Sequence, residues 1–201
     1  MRTSQTLAGT LIWLFATSAA FGQCITTCGT ERWDIKTGCD SAADSIDLDH
    51  ATDTTIGDLR GLTPPDDIRH FQGRLPGVED QQWVVEGTLT LFKPETDKDY
   101  HLVIKDKGKT MIAEIPKTSC VIPSSPFHDD IQATRDCFEN FFNHAKSKKN
   151  LHLRVRITGI AFFDLPHSTP QTGHAPNNIE IHPVLGISFL DDDVQCGQSA
   201  Q

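Results

Sequence analysis

Five stretches of this chain carry the apolar patterning of strands, and one recurs at helical spacing. Trp83-Val84-Val85-Glu86-Gly87-Thr88-Leu89-Thr90-Leu91-Phe92 is rich in β-branched and aromatic residues and predicts a first strand from Gln82. Lys93 to Lys98, with Pro94, reads as a turn, and Tyr100 to Ile104 as a second strand. Asp106-Lys107-Gly108-Lys109 is a hairpin turn into a third strand, Thr110 to Pro116. From Asp129 to Ala145 the period changes: Ile131, Phe138, Phe141, Phe142 and Ala145 share one helical face. Asp129 and Asp130 at its start and Lys146 past its end match the helix dipole. Leu151 to Phe163 and Asn178 to Phe189 predict two further strands. Three strands, a helix and two strands is the order of a five-stranded, OB-like Greek-key barrel with its helix between strands three and four. An open α+β sheet with one covering helix is the alternative, and either way the class is mainly β.

Outside that body, spanning 78–190, patterning fades. Residues 23–77 are polar and acidic, broken by Thr63-Pro64-Pro65, and read as an extended, irregular N-terminal arm with little core of its own. Trp33 and Ile35 alternate with charged neighbours, which predicts a short strand laid on the body. Residues 191–201 form an acidic tail, loose except at Cys196. The first 22 residues have the form of an export signal: Arg2, an apolar run from Leu7 to Phe15, and Ala20-Phe21-Gly22 as a small-x-small cleavage site. The run is shorter than the roughly 20 residues that a bilayer span needs. The expectation is therefore a secreted or periplasmic chain with no integral membrane association after cleavage.

All six cysteines follow that cut, and an even count in an exported chain points to disulfides. Spacing does not choose the connectivity; Cys120 with Cys137 is the preferred pair, stapling a strand end to the following helix. Without Arg2 the chain carries 17 Lys and Arg against 27 Asp and Glu, a net −10. That balance argues against grip on nucleic acid or anionic membrane. Lys146-Ser147-Lys148-Lys149 reads as a solvated turn, and neither a GxSxG elbow nor a Gly-rich phosphate loop is present.

Strand parity gives a candidate site. Leu102 and Ile104 share a face, so Asp99 and His101 point the other way; in the next strand Glu114 opposes Met111, Ala113 and Ile115; Glu180 and His182 oppose Ile179, Ile181 and Leu185. On an OB-like barrel these five would gather on one outer sheet face, overhung by a loop bringing Asp164, His167, His174 and Asn177. The ligand-binding set is thus Asp99, His101, Glu114, Asp164, His167, Asn177, Glu180 and His182. His101, His182 and Glu180 are the candidate ligands of a divalent metal such as zinc, which takes imidazole and carboxylate. No HExxH motif is present, and a hydrogen-bonded structural cluster is the competing account. Two functions follow: a non-enzymatic module binding a small molecule, carbohydrate or peptide, or a metal-dependent hydrolase of nuclease or phosphodiesterase type using His101, His182, Glu114 and Asp164.

Several of these motifs occur together elsewhere. Glu31-Arg32-Trp33 with Lys36-Thr37-Gly38, Asp99-Tyr100-His101-Leu102-Val103, and Met111 to Pro116 are three of them. Phe162-Phe163-Asp164 with His167, Gln171-Thr172-Gly173, Ala175-Pro176-Asn177 and Ile179 to Val184 complete the set. In this combination the chain resembles an uncharacterised family of exported bacterial proteins, over most of its length after the signal. More remotely, the strand order is similar to that of staphylococcal nuclease. That resemblance places Asp97-Lys98-Asp99 near an acidic metal ligand, but Glu114 stands where the nuclease would offer an arginine to phosphate.

Overall fold

The structure, a computed structural model, describes residues 24, 28–29, 31–167 and 171–198. The expected export signal lies outside the described residues. Among those described, seven strands form one mixed sheet: β1 (Ala51–Thr54), β2 (Gln82–Pro94), β3 (Tyr100–Asp106), β4 (Lys109–Ile115), β5 (Lys148–Phe163), β6 (Ile179–Phe189) and β7 (Val194–Gly197). β2, β3 and β4 pair antiparallel in sequence order; β4 then pairs parallel with β6, β6 antiparallel with β5, and β5 antiparallel with β2. The hydrogen-bonded path therefore returns to its start. β1 adds in parallel to β2, and β7 antiparallel to β6, so two short strands join the five that patterning marked.

Inside the sheet lies the main core, with Leu89, Phe92, Leu102, Ile104, Met111, Ala113 and Ile115 all buried. Of the helices α1 (Trp33–Thr37), α2 (Ile56–Leu59) and α3 (His128–Phe141), the last packs its apolar stripe here: the Phe138 ring sits 5.0 Å from Phe92 and 4.9 Å from Phe142. The helix stops four residues earlier than its pattern suggested, since Asn143 and His144 take left-handed backbone angles that no helix continues through.

Residues 31–77 correct the reading of an arm with little core. Ile56 and Leu59 sit on α2, one turn apart, and bury into the main core with Ile68. Thr55 caps that helix by accepting a hydrogen bond from the Asp58 N–H. Ala43 and Ile46 join Val121, Phe127, Ile131, Ile160 and Leu185 in a second, smaller core. Trp33 and Ile35 belong not to a strand but to α1, which Gly38 closes at φ 65° in the left-handed region that favours glycine. Two apolar residues alternating with charge are too few to set a period, whereas the Gly38 stop is a local and stronger instruction. The acidic tail is likewise held further than Cys196 alone would require, because 194–197 is strand β7.

Three disulfides join Cys24 to Cys39, Cys28 to Cys120 and Cys137 to Cys196. The expected Cys120–Cys137 pair does not form. Cys120 precedes the helix, in a 3-10 turn that faces the N-terminal segment, while Cys137 lies in the third turn and faces β7. Among the described residues no helix is long and apolar enough to cross a membrane. Because loop entropy grows with the length enclosed, the bridge spanning 92 residues stabilises more than the one spanning 15. Replacing Cys28 and Cys120 by Ser is expected to cost about 4–5 kcal/mol, and Cys24 with Cys39 about 3 kcal/mol. Guanidinium unfolding midpoints of the two double variants check this order, and a reversed ranking would refute it.

Candidate functional site

Register brings the charged residues of three strands together. His101 is paired with Glu114 across β3 and β4, and Glu180 with Ile112 across β4 and β6. His182, two residues on, falls beside Glu114 on the same face. Its Nδ1 stands 3.1 Å from Glu180 Oε1 and 3.2 Å from Glu114 Oε2; its Nε2 stands 3.3 Å from Asp99 Oδ2. His101 Nδ1 lies 3.1 Å from the other Glu114 oxygen, and its Nε2 2.9 Å from the Thr172 carbonyl. The Lys117 N–H donates to Asp99 Oδ1 at 3.1 Å.

This face is not the open surface that parity suggested. Asp99, His101, Glu114, Glu180 and His182 are all buried, none more than 5% exposed. Two segments cover them. One is the loop after residue 170: Gly173, at φ 88°, approaches Val103 so closely that a Cβ there would meet its methyl groups at 2.5 Å. That approach lets the Thr172 carbonyl reach His101. The other is α1, which lowers Lys36 onto the cluster. The Lys36 ammonium sits 3.2 Å from Asp164 Oδ1, 4.0 Å from Glu180 Oε1 and 5.0 Å from the Phe162 ring centre.

α1 is fixed in turn by its flanks. Arg32 forms a two-point pair with the fully buried Glu79, at 2.8 and 2.6 Å, and donates to the Phe163 carbonyl. Glu79 also accepts from the Phe163 and Leu75 N–H groups, so both its oxygens are engaged. Arg74 ties Asp40 and the Ile35 carbonyl together from the other side. Sequence patterning passes over Lys36, Glu79 and Arg74 as site-forming residues. Lys36 and Arg32 stand inside a quoted motif, but nothing in a five-residue helix announces which way its lysine points.

Electrostatics follow from this burial. Burial alone would raise Glu114, yet hydrogen bonds from His101 and His182 and the nearby Lys36 hold it well below the usual carboxylate range. Burial pushes Glu180 up to about 7, helped by the Asp164 and Glu114 charges. Burial raises Asp99 as well. For His182, burial is outweighed by Asp99, Glu114 and Glu180, which raise it well above an ordinary imidazole; for His101, burial is outweighed by Glu114 and the Thr172 carbonyl, and the ring is raised. Lys36 is raised too, because Glu180, Asp164 and Glu114 overcome its burial.

Beside the cluster opens a cleft of about 390 Å³. Glu31, Glu95, Asp97, Glu114 and Asp164 line it with Trp33, Lys36, His167 and Gln171. His167 is oriented by Asp164, Nε2 to Oδ2 at 2.8 Å. A smaller pocket of about 60 Å³ shares Asp164, His167 and Gln171 and reaches Glu180 and His174. Of the residues expected at a site, Asp164, His167 and Glu114 meet the larger cleft and Glu180 the smaller; Asp99, His101 and His182 lie behind them. Asn177 lies apart, its amide donating to the Leu59 and Leu62 carbonyls and so bracing α2. Within the expected metal set, His101 does not join Glu180 and His182. The atoms that come within 4.8 Å of one another belong to Asp99, Glu114 and His182 and, at the cleft mouth, to Glu31, Asp164 and His167.

Fold and site thus define a mainly β, disulfide-bonded chain with an acidic cleft over a buried charge network. No family model matches the chain, and no curated protein matches it. A solved structure from Leishmania major Friedlin, provisionally assigned as an aspartyl-tRNA synthetase, is similar over 75% of this chain at 12% identity. The TM-score is 0.38, and the match covers 22% of that chain, so the likeness is too low to carry an argument.

Lys36→Met would leave its carboxylates without their cation, and a stability loss of about 3–5 kcal/mol is expected in urea unfolding. A change below about 1 kcal/mol, on the order of an exposed ion pair, would mean that Lys36 does not neutralise the cluster. A second outcome concerns pH. Raised imidazoles contribute stability that is complete below their unfolded value of about 6.5 and lost as pH climbs through their folded values. Glu180 and Asp99, raised carboxylates, act in the same direction, and Glu114 opposes them only on acidification. With chelator present, the urea midpoint should therefore begin to fall above about pH 4.5, as Glu180 ionises, and go on falling above about pH 6.5 as the imidazoles lose their charge. A flat or rising profile into the alkaline range would contradict the network.

Proposed function

We propose that this protein is an exported binding module, an OB-like barrel stabilised by disulfides, that holds a small polar ligand in the cleft beside Asp164 and His167. The observation that carries this function is the cleft itself. Its volume of about 390 Å³ falls in the range of small-molecule sites, and it presents five carboxylates against one ammonium and one imidazole. Such a lining suits a ligand rich in hydrogen-bond donors or positive charge, such as an amino sugar or a basic peptide end. Trp33 adds an apolar wall. Because Lys36 and Asp164 are already locked by burial, little ordering remains to oppose association.

Support for the barrel comes from the closed pairing path, from the parallel pairing of β4 with β6, and from the place of α3 between β4 and β5. Three disulfides accord with an oxidising compartment outside the cytosol. Membership of the exported bacterial family rests on the motifs that furnish this site: Arg32 and Lys36, His101, Glu114, Asp164 and His167, Glu180 and His182. Likeness to staphylococcal nuclease stays at the level of strand order and brings no activity with it. A hydrolase of phosphoesters would want an arginine in the cleft. None lines it among the described residues; Arg154 and Arg156 pair elsewhere, with Asp191 and Asp53 at 3.8 and 2.9 Å.

Calorimetric titration with glucosamine, basic dipeptides and their neutral counterparts tests the proposal. At least one cationic member should bind, and Glu31→Gln with His167→Ala should weaken it about tenfold or more, about 1.4 kcal/mol, without moving the unfolding midpoint. Binding confined to neutral compounds, or unaffected by both changes, would mean that the cleft is not the site.

A further inference from the structure

The small pocket beside the cleft differs from it in chemistry. Its volume of about 60 Å³ admits about four water-sized groups. Ile112, Pro166, Ala175 and Ile179 supply an apolar wall. Against that wall stand three acceptors that lack a donor. His174 Nδ1 lies 2.9 Å from the Gln171 carbonyl, and His167 Nε2 lies 2.8 Å from Asp164 Oδ2. In each neutral ring the nitrogen facing oxygen carries the proton, so His174 Nε2 and His167 Nδ1 hold lone pairs. The third acceptor is Glu180, 3% exposed, which meets His182 through Oε1. Its Oε2 makes no hydrogen bond among the described residues, although the side chain lines the pocket. Lys36 does not resolve this: its ammonium stands 3.2 Å from Asp164 but 4.0 Å from Glu180, and there on the Oε1 side. A carboxylate oxygen so deeply placed is stabilised by any donor that enters.

We infer that this pocket is the subsite for the ligand's cation, and that the cation is a primary ammonium rather than a guanidinium. The inference rests on the reading of the cleft as a ligand site and says where in it the charge goes. An ammonium carries three N–H donors, which Glu180 Oε2, His174 Nε2 and His167 Nδ1 can accept, while the carbon that bears it meets the apolar wall. A guanidinium brings five donors in a rigid plane, so some of its N–H groups would face Ile112, Ala175 or Ile179. Each donor left unpaired in a buried pocket weakens binding about tenfold or more. Asp164, His167 and Gln171 line both cavities and form the lip between them. The body of the ligand crosses that lip into the larger cleft, with the Asp164 carboxylate beside the charge as it passes.

The test uses the fully oxidised chain at about pH 8, where alkylammonium and guanidinium groups are both charged. Calorimetric titration compares n-butylamine with n-butylguanidine, which differ only in the head group. The amine is expected to bind about tenfold or more tighter, and His174→Phe, which keeps a ring but removes the lone pair, to weaken it about tenfold. Ring-proton NMR of the wild-type chain gives a readout that needs no variant to fold: butylamine and glucosamine should both shift His174. Equal affinities for the two head groups overturn the inference. So does glucosamine binding that is weakened by Glu31→Gln yet leaves the His174 ring unshifted, which would keep the cation in the larger cleft and the cleft as the site. No binding of either head group, of glucosamine or of basic dipeptides overturns the cleft reading and this inference with it.

Discussion

Everything at the centre of this molecule depends on the need to neutralise buried carboxylates. Asp99, Glu114, Asp164 and Glu180 lie in or beside a water-poor interior, where an uncompensated charge is far more unfavourable than any packing gain nearby. The cations available are Lys36 and whatever His101 and His182 can hold. Lys36 reaches the cluster only if α1 lies flat on the sheet, and α1 lies there only while Arg32, Glu79 and Arg74 hold its ends. The N-terminal segment is thus positioned by electrostatic necessity as much as by apolar contact.

The same constraint divides the site into two depths. Near solvent, Glu31, Asp97 and His167 line a cleft and are free to meet a ligand. Behind it, Asp99, His101 and His182 are sealed by Thr172 and α1 and touch the cleft through Glu95 and Glu114, and the smaller pocket through Glu180. Charge arriving in the cleft therefore acts on the inner layer through carboxylates that span both.

Much of the body is legible in the sequence because its signals are local and repeated. The alternation in 82–92, the Lys107-Gly108 turn and the Phe138–Phe142 stripe each constrain one element without reference to the rest. Parity even places Asp99, His101, Glu114, Glu180 and His182 on one face. Parity cannot say that the face is covered, since burial on the outer side depends on α1, a helix barely longer than one turn. Helices of that length, like α2, carry almost no periodic signal and form because of the surface they land on. Disulfide connectivity is hidden for a related reason. Cys28 finds Cys120 only after the N-terminal segment has crossed the sheet, so spacing along the chain contains no trace of it.

Lys36 and Glu180 meet from nearly opposite ends of the chain. Contacts of such long range cannot form until the intervening sheet has closed. The charge cluster is consequently a checkpoint of assembly as well as a site: a chain without its N-terminal segment lacks the Lys36 ammonium, and one that stops short of β6 lacks His182. An intact cluster thus records that the two ends of the fold have met, and the cleft beside it, walled by residues from 28–36 and from 95–171, is complete only then.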